Sequence, residues 1–407
     1  MTQSSPDANS FPDLVELDAL RLTVIVDNEV DFMSSCPREL NHTTQAQTLF
    51  KDKRNIDKER STVESDTNAG GHHGHSSHAH DHHGHPSHTH GSDSAFRTVN
   101  FHFQDVCCGA HGLSILLTGT KDNVEHRVLF DTGPHSAIFL ENAKRLEVEF
   151  EKIEVIVLSH WHIDHSGGML TAVDKIQEAR SKGQGLAPVV VDLHPDRPDE
   201  RGIRLTRPSG SHEQPDVFDY VAWGKDPSFK ELEDAGAKVS QSSQAHTVCD
   251  GFFGVSGVIP RMTAYETGLP NHARWSVETK LWKQEQEIMD ERYLVARVKS
   301  KGIVVLTGCS HAGVINVCQD VKRAFQHGKG AGNNDLHFVV GGFHLAGLSM
   351  ETRIKETVSD MLDLNPSFMA PGHCSGWRAK AALEQAMPGK VVSLGVGSDF
   401  LINHHGS

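Results

Sequence analysis

From Phe96 onward, short apolar runs alternate with amphipathic stretches, a pattern typical of an α/β layer fold. An earlier run, Leu22–Val26, has the density of β-branched residues expected of a buried strand. Residues 1–18 are mostly polar and contain two Pro, so we expect a flexible tail there. A folded domain is therefore predicted from residue 19 to residue 407.

The apolar runs predict individual elements of this domain. Strands are predicted at Ser114–Thr118, Arg127–Asp131, Val155–Leu158, Pro188–Asp192, Tyr293–Lys299, Gly302–Thr307, Leu336–Val340 and Lys390–Leu394. Helices are predicted at Ser136–Leu146, Met169–Ser181, Val314–Gln326, Met350–Leu362 and Trp377–Ala386. There is no internal repeat of fixed period, which argues against a solenoid.

The apolar pattern fails between residues 42 and 95, where Gly, Ser, His and charged residues predominate. Burial in such a segment cannot offset the entropy of ordering it, so a disordered insertion is predicted. Ten His lie between His72 and His90, and closely spaced imidazoles suit capture of Zn²⁺, Ni²⁺ or Cu²⁺. The alternative is a tolerated loop expansion without a function of its own.

Deletion of residues 70–91 is expected to leave folding and turnover nearly unchanged, because loop length contributes little to stability. Only the weak metal binding of the tract itself should fall. Kinetics in metal-saturated buffer, beside metal analysis of the same preparation, check this. Loss of activity on deletion would place the tract inside the site.

Composition narrows the class of protein. Lys and Arg total 39 against 53 Asp and Glu, and the net charge of −14 argues against binding a nucleic-acid backbone. The seven Cys are scattered without paired spacing, which disfavours a disulfide framework and favours a reducing compartment. The N-terminus does not resemble a signal peptide, and no apolar run approaches membrane-spanning length. We expect a cytoplasmic protein that does not bind membranes, without excluding the nucleus.

Polar clusters directly follow three of the predicted strands and one further apolar run. Val155–Leu158 leads into the run Ser159–Gly168, and the strand ending at Thr307 leads into Gly308–His311. The strand ending at Val340 leads into Gly341–His344, and Phe368–Ala370 leads into Pro371–Cys374 in the same way. Because ligand sites in α/β proteins gather at the carboxyl ends of strands, we expect these clusters to meet.

Four potential metal ligands lie within six residues of the first cluster, at His160, His162, Asp164 and His165. His160 and His162 can serve one metal ion, and Asp164 and His165 can serve a second. The remaining ligands must come from other strand ends, where His311, His344 and His373 are available. Chance alignment of this pattern after an apolar strand is rare, so surface or packing roles are the weaker interpretation. The Gly pair that follows, Gly167–Gly168, predicts close backbone packing.

The motif resembles the metallo-β-lactamase superfamily, and this resemblance implies a four-layer αβ/βα sandwich with metals at one edge. Phe130–Gly133 resembles the first motif of that family, which implies that Asp131 orients the metal cluster from outside it. One branch is more similar still, the 7,8-dihydropterin-6-yl-methyl-4-(β-D-ribofuranosyl)aminobenzene-5'-phosphate synthase-like proteins. The segments that resemble this branch, in family order, are Val26–Asn28, His111–Ser114, Leu129–Gly133, Ser159–Gly168, Ile259–Arg261, Gly308–Gly313, Gly341–Leu345 and Gly372–Gly376.

The chain departs from the superfamily pattern at two positions. Between residues 166 and 308 the only His are His194, His212, His246 and His272, in ordinary contexts, so the third ligand of the first metal stays open. Cys309 stands where many relatives have a bridging Asp, which leaves either His311 or the Cys309 thiolate as the ligand. We rank His311 and His344 first among the remaining ligands, followed by Cys309 and His373.

Five residues in family-like segments are candidates for substrate binding: Arg261, Asp27, Asn28, His111 and Ser375. Each also has an ordinary structural role available, such as a cap, a turn or a surface ion pair. A guanidinium at Arg261 can hold a phosphate or carboxylate through two hydrogen bonds.

The leading hypothesis is a binuclear hydrolase of a small phosphoester or related ester, acting through a metal-bound hydroxide that Asp164 positions. Two divalent ions are predicted, with zinc first and manganese or iron as alternatives. The resemblance implies a second reaction, a synthase joining an aminobenzoate to a ribosyl phosphate in pterin metabolism. A diiron site for oxygen or nitric oxide chemistry, and a zinc-binding or metal-delivery protein, are further alternatives. The predicted partner is a small, phosphorylated molecule, and the oligomeric state stays open.

Overall fold

The structure is a computed structural model that describes residues 9–45, 47, 102–182, 186–207, 217–326 and 333–404. Two units are distinguished, one formed by Met1–Gln45 with Cys107–Ser407 and one by Ala46–Val106. In the smaller unit the described residues are Gln47 and 102–106, which include a short 3₁₀ helix at Phe103–Asp105. The predicted His tract, 72–90, lies outside the described residues.

The larger unit is rich in strands. They are β1 (Glu16–Leu17), β2 (Ala19–Val26), β3 (His42–Thr43), β4 (Ser114–Lys121), β5 (Val124–Phe130), β6 (Val155–Val157), β7 (Val190–Leu193), β8 (Glu200–Arg207), β9 (Val217–Ala222), β10 (Lys238–Gln241), β11 (His246–Val248), β12 (Phe253–Val255), β13 (His272–Ser276), β14 (Leu281–Gln284), β15 (Tyr293–Val298), β16 (Gly302–Thr307), β17 (Leu336–Gly342), β18 (Phe368–Gly372) and β19 (Asp399–Asn403).

The α-helices of this unit are Ser136–Arg145, Ile163–Ser166, Met169–Ser181, Phe229–Asp234, Val314–Gln326, Leu348–Glu351, Ile354–Leu364 and Trp377–Ala386. Short 3₁₀ helices lie at Arg38–Leu40, Phe150–Lys152 and His373–Ser375. Within the described residues, no helix is long and apolar enough to cross a membrane.

Two large sheets pack face to face. One has the strand order β10-β7-β6-β5-β4-β2-β19-β3, and the other has β11-β12-β15-β16-β17-β18 with β1 beside β15. Their facing sides share one buried cluster, which includes Leu22, Ile115, Phe130, Leu294, Leu306 and Val340. The alternation of side chains along each strand leaves a second apolar side on each sheet, which must also be covered.

Helices cover both outer sides. Phe139, Val173 and Ile176 pack on the first sheet, and Ile315, Val321 and Leu383 pack on the second. The layers are therefore helix, sheet, sheet and helix, which confirms the predicted four-layer αβ/βα sandwich. The predicted bounds of β16 and of the helices at 169–181, 314–326 and 377–386 are also confirmed.

A third sheet, with the order β14-β13-β8-β9, has no counterpart in the predicted elements. Its strands carry many charged and polar side chains, so no apolar run marks them in the sequence. Two predicted elements are also wrong in detail. Lys390–Leu394 makes only an isolated bridge, at Val391, and the helix predicted at Met350–Leu362 is two helices that meet near Arg353.

The prediction of a flexible tail at residues 1–18 is wrong for residues 9–18, which are the part of it that the structure describes. Phe11 is buried and stacks on Phe325, and the Asn9 amide donates to the Asp320 carboxylate at 2.5 Å. The start predicted for the insertion is also too early, because β3 pairs with β19. In both places the segment has too few apolar residues to form a core of its own. Contacts with residues distant in the sequence fix it instead.

Candidate metal centre

Five strand ends bring the polar clusters together, as predicted. β5 and β6 are parallel neighbours in one sheet, and β16, β17 and β18 are parallel neighbours in the other. The chain therefore leaves each of these strands at the same edge of its sheet. A Cβ on Gly167 would lie 2.0 Å from the carbonyl oxygen of Pro134, which explains why the turn after the His cluster requires Gly.

The first ligand group consists of three buried imidazoles, those of His160, His162 and His311. His160 Nε2 lies 2.9 Å from His162 Nδ1, and His311 Nε2 lies 3.2 Å from both. Nitrogens bound to one tetrahedral zinc ion are about 3.3 Å apart, since each Zn–N bond is about 2.0–2.1 Å. The triangle of nitrogens is therefore the right size to bind a single ion. It also supplies the third ligand that the sequence left open, at His311.

The second group lies beside the first and consists of Asp164, His165, Cys309 and His373. Cys309 Sγ lies 3.2 Å from His165 Nε2 and 3.2 Å from His373 Nε2. Asp164 Oδ2 lies 3.2 Å from His373 Nε2 and 3.8 Å from His165 Nε2. Carboxylate, thiol and imidazole atoms thus face one another from three different loops.

His344 lies at the edge of the second group. One of its ring nitrogens is within 4.8 Å of Cys309 Sγ and Cys374 Sγ, and its ring is 4.3 Å from that of His311. Neither ring nitrogen has a hydrogen-bond partner among the described residues. Cys374 was not among the sequence candidates, because nothing in its local sequence indicates that its thiol faces Cys309.

The hydrogen bonds of Asp131 determine which nitrogen carries the proton in two of the rings. Asp131 Oδ2 lies 2.6 Å from His165 Nδ1, and it accepts a hydrogen bond of 2.8 Å from Ser159 Oγ. Because the Ser159 hydroxyl hydrogen points to Asp131, its oxygen accepts from His160 Nδ1 at 2.9 Å. Both rings therefore carry a proton on Nδ1, and their Nε2 atoms face the two groups. This supports the orienting role that the resemblance implies for Asp131.

His272, which stands in an ordinary sequence context, determines which nitrogen of His162 carries the proton. His272 is fully buried, and its Nδ1 lies 2.6 Å from the carbonyl oxygen of Glu285, to which it donates. His272 Nε2 therefore accepts from His162 Nε2 at 3.0 Å, which leaves His162 Nδ1 as a lone pair facing the first group. His272 follows no apolar strand run, so only its contact with a residue 110 positions away reveals it.

The Asn28 amide orients the ring of His373 through a hydrogen bond to its outer nitrogen. Its Oδ1 lies 3.2 Å from His373 Nδ1, which donates to it, so Nε2 is the nitrogen of His373 that faces the second group. Its Nδ2 donates to His111 Nδ1 at 3.0 Å, so His111 carries its proton on Nε2, 3.7 Å from Asp164 Oδ2. Asn28 thus positions two histidines, and this explains its place beside the site better than a contact with substrate.

The residues fit a pair of divalent ions. The outer hydrogen bonds of four imidazoles direct one ring nitrogen of each inward, and burial lowers the pKa of His160, His162 and His311 far below the usual value, which keeps these three neutral. Burial opposes the charge of His165, yet Asp164 and Asp131 outweigh it and raise its pKa to about 9. The two carboxylates therefore favour positive charge at the second group.

Buried charged side chains stabilise the loops that carry the His ligands. Arg201 pairs with Asp290 at 2.5 Å, and Asp290 also accepts the backbone N–H of Trp161 at 2.8 Å. Glu291 accepts the backbone N–H groups of His311 and Ala312, at 2.7 and 2.6 Å. These contacts fix the loops that carry His160, His162 and His311.

Asp290→Ala is expected to lower the free energy of unfolding by about 3–5 kcal/mol, because it leaves the buried Arg201 guanidinium with an incomplete partner set. The matched control is Asp234→Ala, which removes an exposed ion pair with Lys230 and should cost less than about 1 kcal/mol. Urea unfolding followed by circular dichroism measures both. Equal losses would show that the Asp290 pair contributes no more than a surface pair.

A cavity of about 440 Å³ opens onto both groups. It is lined by His111, His162, Ile163, Asp164, Trp223, Leu269, Cys309, His311, His344, His373 and Cys374. Among the predicted substrate-binding residues His111 faces this cavity, with its side chain 68% exposed.

Arg261 and Ser375, two more of the substrate candidates, have structural contacts. Arg261 donates to the backbone carbonyls of His311 and Glu287 and lines a neighbouring cleft. Ser375 is fully buried, and its hydroxyl oxygen accepts the N–H of Phe343 at 3.0 Å. Both residues thus stabilise loops of the site from outside the cavity.

Comparison with known proteins agrees with this geometry. Residues 111–251 match the model of the metallo-beta-lactamase superfamily. The chain is 25% identical over 301 residues to the 7,8-dihydropterin-6-methyl-4-(beta-D-ribofuranosyl)-aminobenzene-5'-phosphate synthase of Methanocaldococcus jannaschii, a match that covers 69% of this chain and 89% of the relative. It is 29% identical over 275 residues to an uncharacterised protein of the same archaeon, covering 68% and 88%.

Among solved structures, a metal-dependent hydrolase of the beta-lactamase superfamily superposes with a TM-score of 0.54 and 19% identity. That superposition covers 93% of this chain and 98% of the other, and it supports the shared fold. Residues 111–251 therefore resemble the metallo-beta-lactamase superfamily, and the chain shares the fold of that hydrolase.

Proposed function

We propose that the chain is a binuclear metal-dependent hydrolase of a small phosphoester or a related ester. The observation that carries this proposal is the pair of adjoining ligand groups, with imidazole nitrogens directed inward, on the wall of one cavity. A protein that only stores metal has no need of a cavity beside its ligands. The metal-delivery alternative is therefore the weaker one.

Two divalent ions held there would act as Lewis acids on the ester and lower the pKa of a water molecule. The chain itself supplies orientation and proton transfer. The Asp164 carboxylate, about one-fifth exposed, can accept a hydrogen bond from the attacking water. Burial raises the pKa of Asp164, but His165 and a hydrogen bond from His373 outweigh burial and lower it, so the group is ionised. His111 Nε2–H, on the same wall, can donate to the leaving oxygen.

The cavity lining indicates the size and chemistry of the substrate. The described lining residues include neither Lys nor Arg, so an anionic group of the substrate must bind at the two ligand groups themselves. Trp223 and Leu269 form an apolar wall, with the Trp223 ring 5.1 Å from that of His162. A small molecule that has an ester beside a planar apolar part fits these surfaces.

A second candidate is a synthase of the pterin pathway that joins an aminobenzoate to a ribosyl phosphate. The named relative from Methanocaldococcus jannaschii supports it, since that match covers 89% of the relative. The apolar wall at Trp223 suits an aromatic ring in either reaction.

The test is a product analysis of the full chain after loading with Zn²⁺ or Mn²⁺. Phosphomonoesters, phosphodiesters and carboxylic esters with an aromatic group are offered separately, and the aminobenzoate with a ribosyl phosphate donor in a further reaction. Hydrolysis that depends on added metal and fails in Asp164→Asn supports the first proposal. Formation of a product that joins the aminobenzoate to the ribosyl phosphate, without ester hydrolysis, would replace it with the second.

A further inference from the structure

A separate group of metal-binding side chains lies at the opposite ends of the same strands. His126 is near the start of β5, and Glu154 immediately precedes β6, whereas the metal centre follows the far ends of both. Asp131 lies five positions after His126 along this extended segment, a distance of about 16 Å. Cys249 follows β11 and completes the group. This group is therefore distinct from the catalytic one.

Its geometry brings three different ligand atoms together. His126 Nδ1 lies 2.9 and 3.0 Å from the two carboxylate oxygens of Glu154. Cys249 Sγ lies within 4.8 Å of both the imidazole nitrogen and the carboxylate. Asp250 is next to Cys249, and its Oδ2 is 3.7 Å from His126 Nε2 with the side chain 88% exposed. An ion could enter from the solvent along Asp250.

Contacts with the rest of the fold fix Glu154 and His126 independently of any ion. Glu154 lies in the sheet, donating its N–H to Arg127 and accepting from Val190, at 3.0 Å each. The His126 ring packs edge-on against Phe252, with ring centroids 4.4 Å apart. The site is thus partly preorganised, which lowers the entropy cost of binding.

The local charge favours a cation. Burial and then the carboxylates of Glu154 and Asp250 raise the pKa of the Cys249 thiol, so the thiol keeps its proton while no cation is near. A thiolate, an imidazole and a carboxylate together are ligands that Zn²⁺ prefers.

We propose that His126, Glu154 and Cys249 form a peripheral binding site for Zn²⁺ or a divalent ion of similar softness. On binding, the Cys249 sulfur loses its proton to solvent and forms a bond to the ion, while His126 Nδ1 and a Glu154 oxygen donate lone pairs. The site ties the start of β5 and β6 to the loop after β11, so its role is structural.

The test measures how fast iodoacetamide alkylates individual cysteines of the folded full chain, using peptide mass spectrometry, with and without ZnCl₂. Zinc is expected to slow alkylation of Cys249 by about tenfold or more, and EDTA should reverse this. Cys36 is the matched control, because it is also half-buried and burial raises its pKa, to about 11, yet it belongs to none of the described ligand groups. Its rate should not change.

His126→Gln separates ion binding from general stabilisation by zinc at the catalytic centre. The variant should lose protection of Cys249 and keep metal-dependent turnover. Equal alkylation of wild-type Cys249 with and without zinc would overturn the proposal, whatever the variant does. Protection that persists in a folded His126→Gln chain would also overturn it, by showing that His126 Nδ1 is not a ligand.

Discussion

Asp164→Asn is expected to reduce kcat by about 10²-fold or more while the chain stays folded. The amide keeps the shape of the side chain but removes the negative charge that faces His165 and His373. It therefore weakens the second ligand group and removes the acceptor for the attacking water. Steady-state kinetics on metal-loaded protein, with circular dichroism of the same preparation, measure both effects.

The matched control for this variant is Asp234→Asn. It also replaces one carboxylate by an amide, but in an exposed ion pair with Lys230. Surface pairs of this kind contribute little, so its kcat should equal that of the parent chain. A folded Asp164→Asn chain with unchanged kcat would remove Asp164 from the reaction and leave it with a structural role.

His311→Ala is expected to empty the first ligand group and reduce turnover by at least as much. Two imidazoles would remain where three converge, and three or four ligands per ion leave little to spare. His160→Ala and His162→Ala should act in the same way, since each removes one corner of the nitrogen triangle. Metal analysis by inductively coupled plasma spectrometry, in the presence of a weak chelator, measures the loss.

His135→Ala provides the comparison for the imidazole deletions. His135 is exposed and caps the helix Ser136–Arg145, so its loss should cost about 1 kcal/mol of stability and no metal. If His311→Ala bound as much metal as His135→Ala, the first group would not be a metal site.

The sequence predicts the site largely because its ligands follow apolar strands. Residues of this kind, such as His160 after β6 and His344 after β17, can be placed from the pattern alone, since parallel strands end at one edge. His272 could not be placed in this way. It lies in a sheet of polar strands, and its role depends on a hydrogen bond to His162 and another to the Glu285 carbonyl.

The roles of residues next to the ligands also could not be predicted from the sequence. Arg261 and Ser375 occur in family-like segments, yet a backbone carbonyl and a backbone N–H use their polar atoms. Asn28 is beside the site, but its amide determines the protonation of His373 and His111. Such assignments depend on which atoms face each other across the fold, and spacing along the chain does not contain that information.

The central claim is that two adjoining groups of strand-end residues each hold one divalent ion. Anomalous diffraction from crystals of the zinc-loaded full chain tests it directly, because it locates each ion. We expect one peak about 2.0–2.3 Å from His160 Nε2, His162 Nδ1 and His311 Nε2, and a second bounded by Asp164, His165, Cys309 and His373. Zinc bound elsewhere on the chain, with no density at either group, would contradict the account.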